Sequence, residues 1–230
     1  MSEQVLLAVF DCDGTLVDSQ YSIIRCMRTA FDGQGLPRPD DEKIRRIVGL
    51  DLLHAIAILH PGISDAAASK VKEGYSKAWK ELRQFADLNE PLYPKTIETL
   101  DEVSTRGWQL GVATGKSHRG LVHTLSTHDI LERFDTLQTA DRAHSKPHPE
   151  MLVKAMEDVR AVPANTVMIG DTTFDMEMAQ NAGVTAIGVI WGYHPAEELV
   201  KSGAHSVIKA YTELPDVLDT LKKTQVKTTN

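Results

Sequence analysis

A short apolar run that ends in two aspartates constrains this chain more than any other feature. Residues Val5 to Phe10 are apolar, and Asp11 and Asp13 follow at once, with Gly14 next. A short apolar run bounded by a turn signal predicts a buried strand of a parallel sheet. Ligands of open α/β sheets bind outside the carboxyl ends of the strands. We therefore expect the two aspartates to stand at the edge of a ligand site.

Helical sequence without any strand pattern follows this first strand. Apolar periodicity predicts helices near residues 20–31, 40–48, 52–59 and 64–85, with Ser19 as the cap of the first. Helical sequence inserted into an α/β pattern indicates a bundle of its own. We expect a small four-helix cap domain over residues 19–86.

Strands and helices alternate in the rest of the chain. Strands are predicted at 108–113, 136–138, 167–169, 185–190 and 206–208, and helices near 97–106, 120–126, 151–159 and 174–182. Such alternation indicates a doubly wound parallel sheet with right-handed crossovers. The expected fold is a Rossmann-like three-layer α/β core, formed by residues 1–18 and 87–230, with a polar, frayed tail from residue 222.

Charge and cysteine content limit the expected partners. The net charge of −7 argues against nucleic acid, which needs a basic face. Two cysteines cannot build a disulfide framework, so a reducing cytoplasm is the expected compartment. The sequence shows no targeting signal and no apolar stretch long enough to span a membrane, so no membrane partner is expected. A monomer and a homodimer are both compatible with the sequence.

Four polar stations follow predicted strands and are expected to converge on one crevice. They are Asp11 with Asp13, Thr114 with Gly115, Lys146, and the segment GDTTFD with Asp171 and Asp175. Carboxylates from several strands form an oxygen-rich site that suits magnesium. An ionised carboxylate there can attack phosphorus, while a hydroxyl, backbone N–H groups and a lysine hold the phosphoryl oxygens. A second acid can protonate the leaving oxygen.

Two other polar pairs have competing interpretations. Lys116 competes with Lys146 for the phosphate because it also follows a strand, but we expect Lys116 to be solvated. His144 and His148 are four positions apart, as in a helical pair of metal ligands. Two prolines nearby argue against a helix, and therefore against a zinc site.

Two further groups are expected to be structural. The basic residues of the helical segment are expected on the surface or in packing contacts, although they could reach a substrate carboxylate. They are Arg45, Arg46 and His54. The aromatic segment 191–193 is expected to be a packed loop rather than a surface on which a ligand stacks.

The ordered set DCDGT, Thr114, Lys146 and GDTTFD resembles the four motifs of the haloacid dehalogenase (HAD) superfamily. The motifs are 103, 32 and 25 positions apart, counted from Asp11 to Asp171, and only the first gap can hold an inserted domain. This arrangement resembles the helical-cap branch of the HAD fold, which includes phosphoglycolate phosphatases, β-phosphoglucomutases and 2-haloacid dehalogenases. The segments FDCDGTLVDS, SKPHPE and GVIWGYH are most similar to phosphoglycolate-phosphatase-like proteins.

The resemblance implies a role for each matching residue. Asp11 would be the nucleophile and Asp13 the general acid and base. The implied phosphoryl-binding residues are Thr114, Gly115 and Lys146. The implied magnesium ligands are Asp11, the backbone carbonyl of Asp13, Asp171 and, in support, Asp175.

Two positions depart from the common pattern of this superfamily. Cys12 stands where a larger apolar residue is commoner, and it is expected to be a small buried hydrophobe. Gly115 stands where an asparagine is common, which removes a side chain from the phosphate pocket.

The resemblance implies a magnesium-dependent phosphatase that acts on a small phosphorylated metabolite, 2-phosphoglycolate first, through an aspartyl-phosphate. Pyrophosphate is an alternative substrate. A β-phosphoglucomutase-like mutase is another alternative, but such mutases carry a basic residue just after the glycine that here is Gly49, and Leu50 and Asp51 follow it. Asp13 argues against a dehalogenase, which needs no second acid. A non-enzymatic phospho-acceptor signalling domain would be about half as long and would lack the helical insert.

Overall fold

A six-stranded parallel sheet forms the centre of the molecule. The computed structural model describes residues 4–84 and 90–228, with side chains described as far as residue 222. The strands are β1 (Leu6–Phe10), β2 (Trp108–Thr114), β3 (Thr136–Thr139), β4 (Thr166–Gly170), β5 (Thr185–Val189) and β6 (Ser206–Ile208). They lie in the order β3-β2-β1-β4-β5-β6, and every neighbouring pair is parallel. The predicted α/β fold is confirmed.

Ten α-helices accompany the sheet within the described residues. Four of them lie between β1 and β2: α1 (Gln20–Asp32), α2 (Asp41–Arg45), α3 (Leu52–Leu59) and α4 (Asp65–Gln84). The others are α5 (Thr96–Thr105), α6 (His118–Thr127), α7 (Glu150–Val159), α8 (Thr173–Ala182), α9 (Ala196–Lys201) and α10 (Leu214–Thr228). Helical crossovers of this kind are what parallel strands require.

The first strand is buried on both faces, which explains why it is apolar without alternation. Leu6, Ala8 and Phe10 pack into an apolar cluster on one face of the sheet, and Leu7 and Val9 pack into a second cluster on the other face. This two-residue alternation follows from the pleat of a strand. The aspartates that follow β1 therefore stand at the edge of the sheet, where the apolar core ends.

The four helices α1–α4 have an apolar cluster of their own. Met27 and Phe31 of α1 lie in it together with Trp79 of α4. Gly74 allows α1 and α4 to approach closely, because a β-carbon there would lie 3.3 Å from the Cα atom of Ala30. The predicted domain boundary at 86–87 falls outside the described residues. The division into two domains therefore stays a prediction, and α1–α4 with their loops are called the helical layer below.

Three local predictions were wrong. The tail from residue 222 does not fray at once, because α10 continues to Thr228. Helix α9 was not predicted, because its six residues are too few to show a helical period. Ser19 occupies the N-cap position of α1, but its side chain makes no cap hydrogen bond and donates to Asp13 instead. Separately, no helix in the described part of the chain is long and apolar enough to cross a membrane.

Candidate active site

The carboxyl ends of neighbouring strands bring the predicted residues together. Phe10 of β1 lies beside Ile169 of β4 in the parallel register. Asp11 follows β1 directly, and its N–H donates to the carbonyl of Ile169 over 2.9 Å. Thr114 ends β2, and Asp171 follows β4. The crevice therefore lies where the chain runs from the central strand to neighbours on opposite sides, which is the usual ligand site of open sheets.

A buried lysine links two of the aspartates. The Nζ atom of Lys146 lies 2.9 Å from Oδ1 of Asp11 and 2.6 Å from Oδ1 of Asp175, and all three side chains are fully buried. Burial alone would lower the pKa of Lys146, but the charges of Asp11 and Asp175 outweigh burial and raise the pKa. Lys146 therefore remains a cation inside the crevice.

Asp171 is held by groups from two other segments. Its Oδ1 accepts from the hydroxyl of Thr15 over 2.7 Å, and its Oδ2 accepts from the backbone N–H of Tyr193 over 2.9 Å. Gly14 and Gly192 allow this close approach, because a β-carbon on either would lie 2.3 Å from Oδ2 of Asp171. Gly14 also has a φ of +82°, in the left-handed region that favours glycine.

Asp175 lies in the same crevice and also begins a helix. Its Oδ2 accepts from the N–H and the hydroxyl of Thr172, over 3.0 and 2.7 Å, which forms a capping box at the start of α8. Its other oxygen faces Lys146. Gly170 leaves room for this arrangement, because a β-carbon there would lie 2.4 Å from Cγ of Asp175. One carboxylate thus caps the helix and faces the crevice.

The three aspartates form a group that fits a divalent cation. One oxygen from each of Asp11, Asp171 and Asp175 lies within 4.8 Å of the others. Burial raises the pKa of Asp11 to about 7, against the lowering effect of Lys146. Burial and the two other carboxylates raise the pKa of Asp171 well above its usual value. Oδ2 of Asp11 is buried without a hydrogen-bond partner among the described residues. An all-oxygen set with an unpartnered buried oxygen suits magnesium.

Thr114 and Gly115 lie directly under the helical layer. Thr114 is buried, and its hydroxyl accepts from the N–H of Lys116 over 3.3 Å. A β-carbon on Gly115 would lie 2.6 Å from the carbonyl oxygen of Gly49 and 2.7 Å from that of Leu50. The glycine therefore lets the loop between α2 and α3 contact the end of β2. The glycine at position 115 is therefore needed for the contact between the helical layer and the sheet, in addition to its effect on the shape of the crevice.

The expectation that Lys116 is solvated was wrong. Its Nζ lies 2.6 Å from Oδ1 of Asp13 and 3.9 Å from Oε1 of Glu90, and only 11% of the Lys116 side chain is exposed. The ammonium also lies 5.1 Å from the ring centroid of Trp79 on α4. Burial would lower its pKa, but Asp13 and Glu90 outweigh burial and raise it. Two buried acids and an aromatic ring hold this lysine, and Asp13 also accepts from the hydroxyl of Ser19.

Sequence reasoning missed three residues around the crevice. Glu90 is buried, and burial raises its pKa to about 7. The hydroxyl of Tyr193 lies 3.3 Å from that of Ser19. The hydroxyl of Ser145 accepts from the N–H of Asp51 over 2.8 Å and so connects the Lys146 loop to the helical layer. None of the three follows a strand directly, so the spacing of strand ends could not reveal them.

The other basic candidates lie in surface and packing contacts, as expected. Arg46 pairs with Glu198 over 2.6 Å, and Arg45 donates to the side chain of Gln20 over 2.5 Å. His54 is exposed on α3. The pair of Arg46 and Glu198 joins the helical layer to the core.

The two histidines of the Lys146 loop approach each other without forming a helix. The ring centroids of His144 and His148 lie 4.5 Å apart, and Glu150 accepts from the N–H of His144 over 2.7 Å. Both rings are exposed. Neither histidine lies in a helix, as the prolines predicted, but the loop brings one ligand atom from each of His144, His148 and Glu150 within 4.8 Å of the others, a spacing that could hold a metal ion.

Packing explains two further predictions. Trp191 packs between Tyr93 and Tyr211, and its Nε1–H donates to the carbonyl of Thr15 over 3.1 Å. The segment 191–193 is thus a packed loop, as predicted. Cys12 is fully buried, as predicted.

A cavity of about 570 Å³ opens between the helical layer and the core. Asp13, Gly115 and Lys116 form one end of it. Its apolar wall comes from the helical layer and includes Met27 and Trp79. The cavity therefore begins at the crevice, on the side of Asp13, and extends under the four helices.

Comparison with known proteins identifies relatives along nearly the whole chain. Residues 8–189 match the family model described as haloacid dehalogenase-like hydrolase. The protein named "Probable phosphatase IndB" from Dickeya dadantii is 34% identical over 94% of this chain and 95% of its own. A phosphoglycolate phosphatase from Vibrio vulnificus is 29% identical over 94% of this chain and 97% of its own. The pyrophosphatase PpaX from Bacillus mycoides is 30% identical over 80% and 82%.

A solved structure agrees with the fold. It is a haloacid dehalogenase-like hydrolase from Bacteroides fragilis, 30% identical, with a TM-score of 0.84 over 92% of this chain and all of its own. The similarity spans the sheet and the helical layer together, because so little of this chain lies outside the alignment. The predicted family resemblance is confirmed.

Proposed function

We propose that this protein, a phosphatase that belongs to the haloacid dehalogenase-like hydrolase family, hydrolyses a small phosphate ester with magnesium and through a phosphoenzyme on Asp11. One observation carries the proposal. Oδ1 of Asp11 is held by Lys146 and by the N–H of Cys12, over 2.9 and 2.6 Å, while Oδ2 is buried and unpartnered within the described residues. A carboxylate fixed at one oxygen and open at the other is arranged for attack.

The residues that would hold magnesium are Asp11, the backbone carbonyl of Asp13, Asp171 and Asp175. The grouping of Asp11, Asp171 and Asp175 supports this ligand set, since one oxygen of each lies within 4.8 Å of the others. A bound magnesium ion would neutralise part of the negative charge that gathers between these carboxylates and the phosphoryl group. The single buried ammonium of Lys146 leaves a net negative charge in this group, which favours a cation.

The proposed first step transfers the phosphoryl group to Asp11. A carboxylate oxygen of Asp11 forms a bond to phosphorus as the bond from phosphorus to the leaving oxygen breaks. Asp13 gives a proton to the leaving oxygen. Lys146, the hydroxyl of Thr114 and the backbone N–H of Gly115 would hold the equatorial phosphoryl oxygens.

The proposed second step regenerates the enzyme. Water attacks phosphorus, its proton passes to Asp13, and the bond between phosphorus and Asp11 breaks to release phosphate. Both roles need access to the leaving group and to water, and Asp13 supports them because it lines the cavity between the helical layer and the core.

The names of the relatives support two substrates. Phosphoglycolate phosphatases suggest 2-phosphoglycolate, which we place first, and the pyrophosphatase suggests pyrophosphate. A phosphomutase is less well supported, because Asp51 follows the Gly49 loop and caps α3 by accepting from Leu53 and His54.

We also propose a cytoplasmic location, because both cysteines are free and buried, as suits a reducing compartment.

A screen of phosphate esters tests the proposal. Purified protein is assayed for phosphate release from 2-phosphoglycolate, pyrophosphate and β-glucose 1-phosphate, with magnesium or with EDTA. We expect magnesium-dependent hydrolysis of at least one compound, and highest kcat/KM for 2-phosphoglycolate. Hydrolysis that EDTA does not affect would contradict the metal-dependent mechanism, and highest kcat/KM for another ester would overturn only the choice of substrate.

A further inference from the structure

The charge of the cavity is opposite to that of the chain. Among the described residues that line it, six are basic and three are acidic, whereas the whole chain carries a net charge of −7. The basic residues are Lys72, Lys77, Lys80, Arg83, Lys116 and Arg119. Excess positive charge in a concave site attracts anions more strongly than the same charge on an open surface.

Two of these cations face each other from opposite walls. Arg83 lies near the end of α4, and Arg119 lies in the first turn of α6. A β-carbon on Gly120, the neighbour of Arg119, would lie 3.9 Å from Nη2 of Arg83, so the guanidinium of Arg83 reaches the core wall. The side chain of Arg83 therefore extends from the helical layer across the cavity toward the core wall that carries Arg119.

Arg83 is held in place but forms no salt bridge with an acid within residues 4–84 and 90–222. Its guanidinium carbon lies 5.4 Å from the ring centroid of Trp79, and its buried Nε has no hydrogen-bond partner among these residues. Burial lowers the pKa of Arg83, Glu90 opposes this effect, and Arg119 adds to it. A guanidinium has five donors in a fixed plane that match a carboxylate or a phosphate. A bound anion would therefore satisfy donors that the described residues leave open.

We propose that Arg83 and Arg119 form a subsite for a second anionic group, a carboxylate or a phosphate, on the leaving group of the substrate. The subsite rests on the proposed function, because Asp13, the proposed proton donor to the leaving group, lines the same cavity as Arg83 and Arg119. It explains how the enzyme would prefer esters that carry an additional negative charge. 2-Phosphoglycolate and pyrophosphate meet this requirement, whereas simple alkyl phosphates have no second anionic group.

Binding of two matched esters tests the subsite. The ligands are 2-phosphoglycolate and ethyl phosphate, which differ in the carboxylate, and binding is measured by calorimetry with magnesium in an Asp11→Asn background. Arg83→Gln is expected to weaken the binding of 2-phosphoglycolate at least about tenfold, which is the effect of losing one charge-assisted hydrogen bond. The same variant is expected to change the affinity for ethyl phosphate by no more than about twofold. Arg119→Gln, which alters an exposed side chain, is expected to show the same selective loss.

Controls separate the subsite from general electrostatics and from folding. Lys70→Gln removes a charge from an exposed position of the same helix α4, outside the cavity, and is expected to change neither affinity. Thermal unfolding of each variant shows whether it folds. Equal loss for both esters, or no loss for either in Arg83→Gln and Arg119→Gln, would overturn the subsite. If the wild type hydrolyses no ester of the screen while the selective loss of binding is present, the proposed function fails and the subsite stands.

Discussion

The Nζ atom of Lys116 lies 2.6 Å from Oδ1 of Asp13, and this ion pair stands at the junction of three parts of the chain. Asp13 follows β1, Lys116 follows β2, and Trp79 of α4 covers the ammonium from the helical layer. The orientation of the proposed proton donor thus depends on a core lysine and on the position of α4. This coupling gives the helical layer a direct influence on chemistry at the strand ends.

Lys116→Met tests that dependence. The substitution keeps most of the length of the unbranched side chain but removes the charge that holds Asp13. We expect kcat to fall at least about tenfold, because Asp13 loses its fixed position. We expect the free energy of unfolding to fall by about 3 kcal/mol, since a largely buried carboxylate is left without its partner. Kinetics and denaturant unfolding measure the two effects. Lys70→Met on exposed α4 surface is the control, and an unchanged kcat in Lys116→Met would show that Asp13 does not need the lysine.

Gly115→Ala tests the contact between the layers. The added β-carbon would lie 2.6 Å from the carbonyl oxygen of Gly49, a backbone atom that cannot yield without moving the α2–α3 loop. We expect a loss of about 1–3 kcal/mol in the free energy of unfolding, as in overpacked cores, together with a raised KM. Gly33→Ala is the matched control, because its β-carbon would meet nothing nearer than 3.4 Å. Equal stability of the two variants would mean that the loop moves freely away from β2.

The grouped carboxylates predict how pH and magnesium affect stability. Burial raises the pKa of Asp11 from 3.8 to about 7, so in the absence of metal the folded protein binds more protons than the unfolded chain between these values. Stability contributed by Asp11 is therefore lost as pH rises through that window. Asp171 and Glu90, whose pKa values are also raised by burial, act in the same direction.

Thermal unfolding at pH 5 and pH 8, with EDTA or with magnesium, measures this effect. Magnesium is expected to raise Tm more at pH 8, because protonated carboxyls must release protons before they bind a cation. Asp11→Asn removes one of the titrating groups and is expected to reduce the difference. An equal increase in Tm at both pH values would contradict the assignment of these carboxylates as ligands.

The sequence was sufficient to predict which residues meet at the strand ends. A strand end has a fixed place in a parallel sheet, so the positions of Asp11, Thr114 and Asp171 follow from the strands that precede them. Lys146 could be chosen over Lys116 only through the family resemblance, because both lysines follow a strand. The bounds of the central strands were predicted within a residue or two, since burial of β1 and β4 on both faces makes each of them a distinct apolar run.

Contacts between layers could not be predicted in this way. Lys116 is buried because Trp79 and Glu90, far from it along the chain, enclose it, and no local pattern encodes that enclosure. Gly115 looked like a missing side chain in the crevice, although the backbone of the α2–α3 loop is what fills the space. Ser19 was read as a helix cap because a local hydrogen bond is the usual role of serine there, but Asp13 competes for its hydroxyl.

The most direct test of the central claim is to trap phosphate on Asp11. The Asp13→Asn variant, with magnesium and p-nitrophenyl phosphate, whose nitrophenolate leaving group needs no proton donor in the first step, is quenched in acid, digested and examined by mass spectrometry. Because Asp13 is proposed to activate the water of the second step, the phosphoenzyme should accumulate in this variant, with one phosphoryl group on the peptide that contains Asp11. The double variant Asp11→Asn, Asp13→Asn should carry none. Absence of a phosphoryl group from Asp11, or its presence on another residue, would contradict the account.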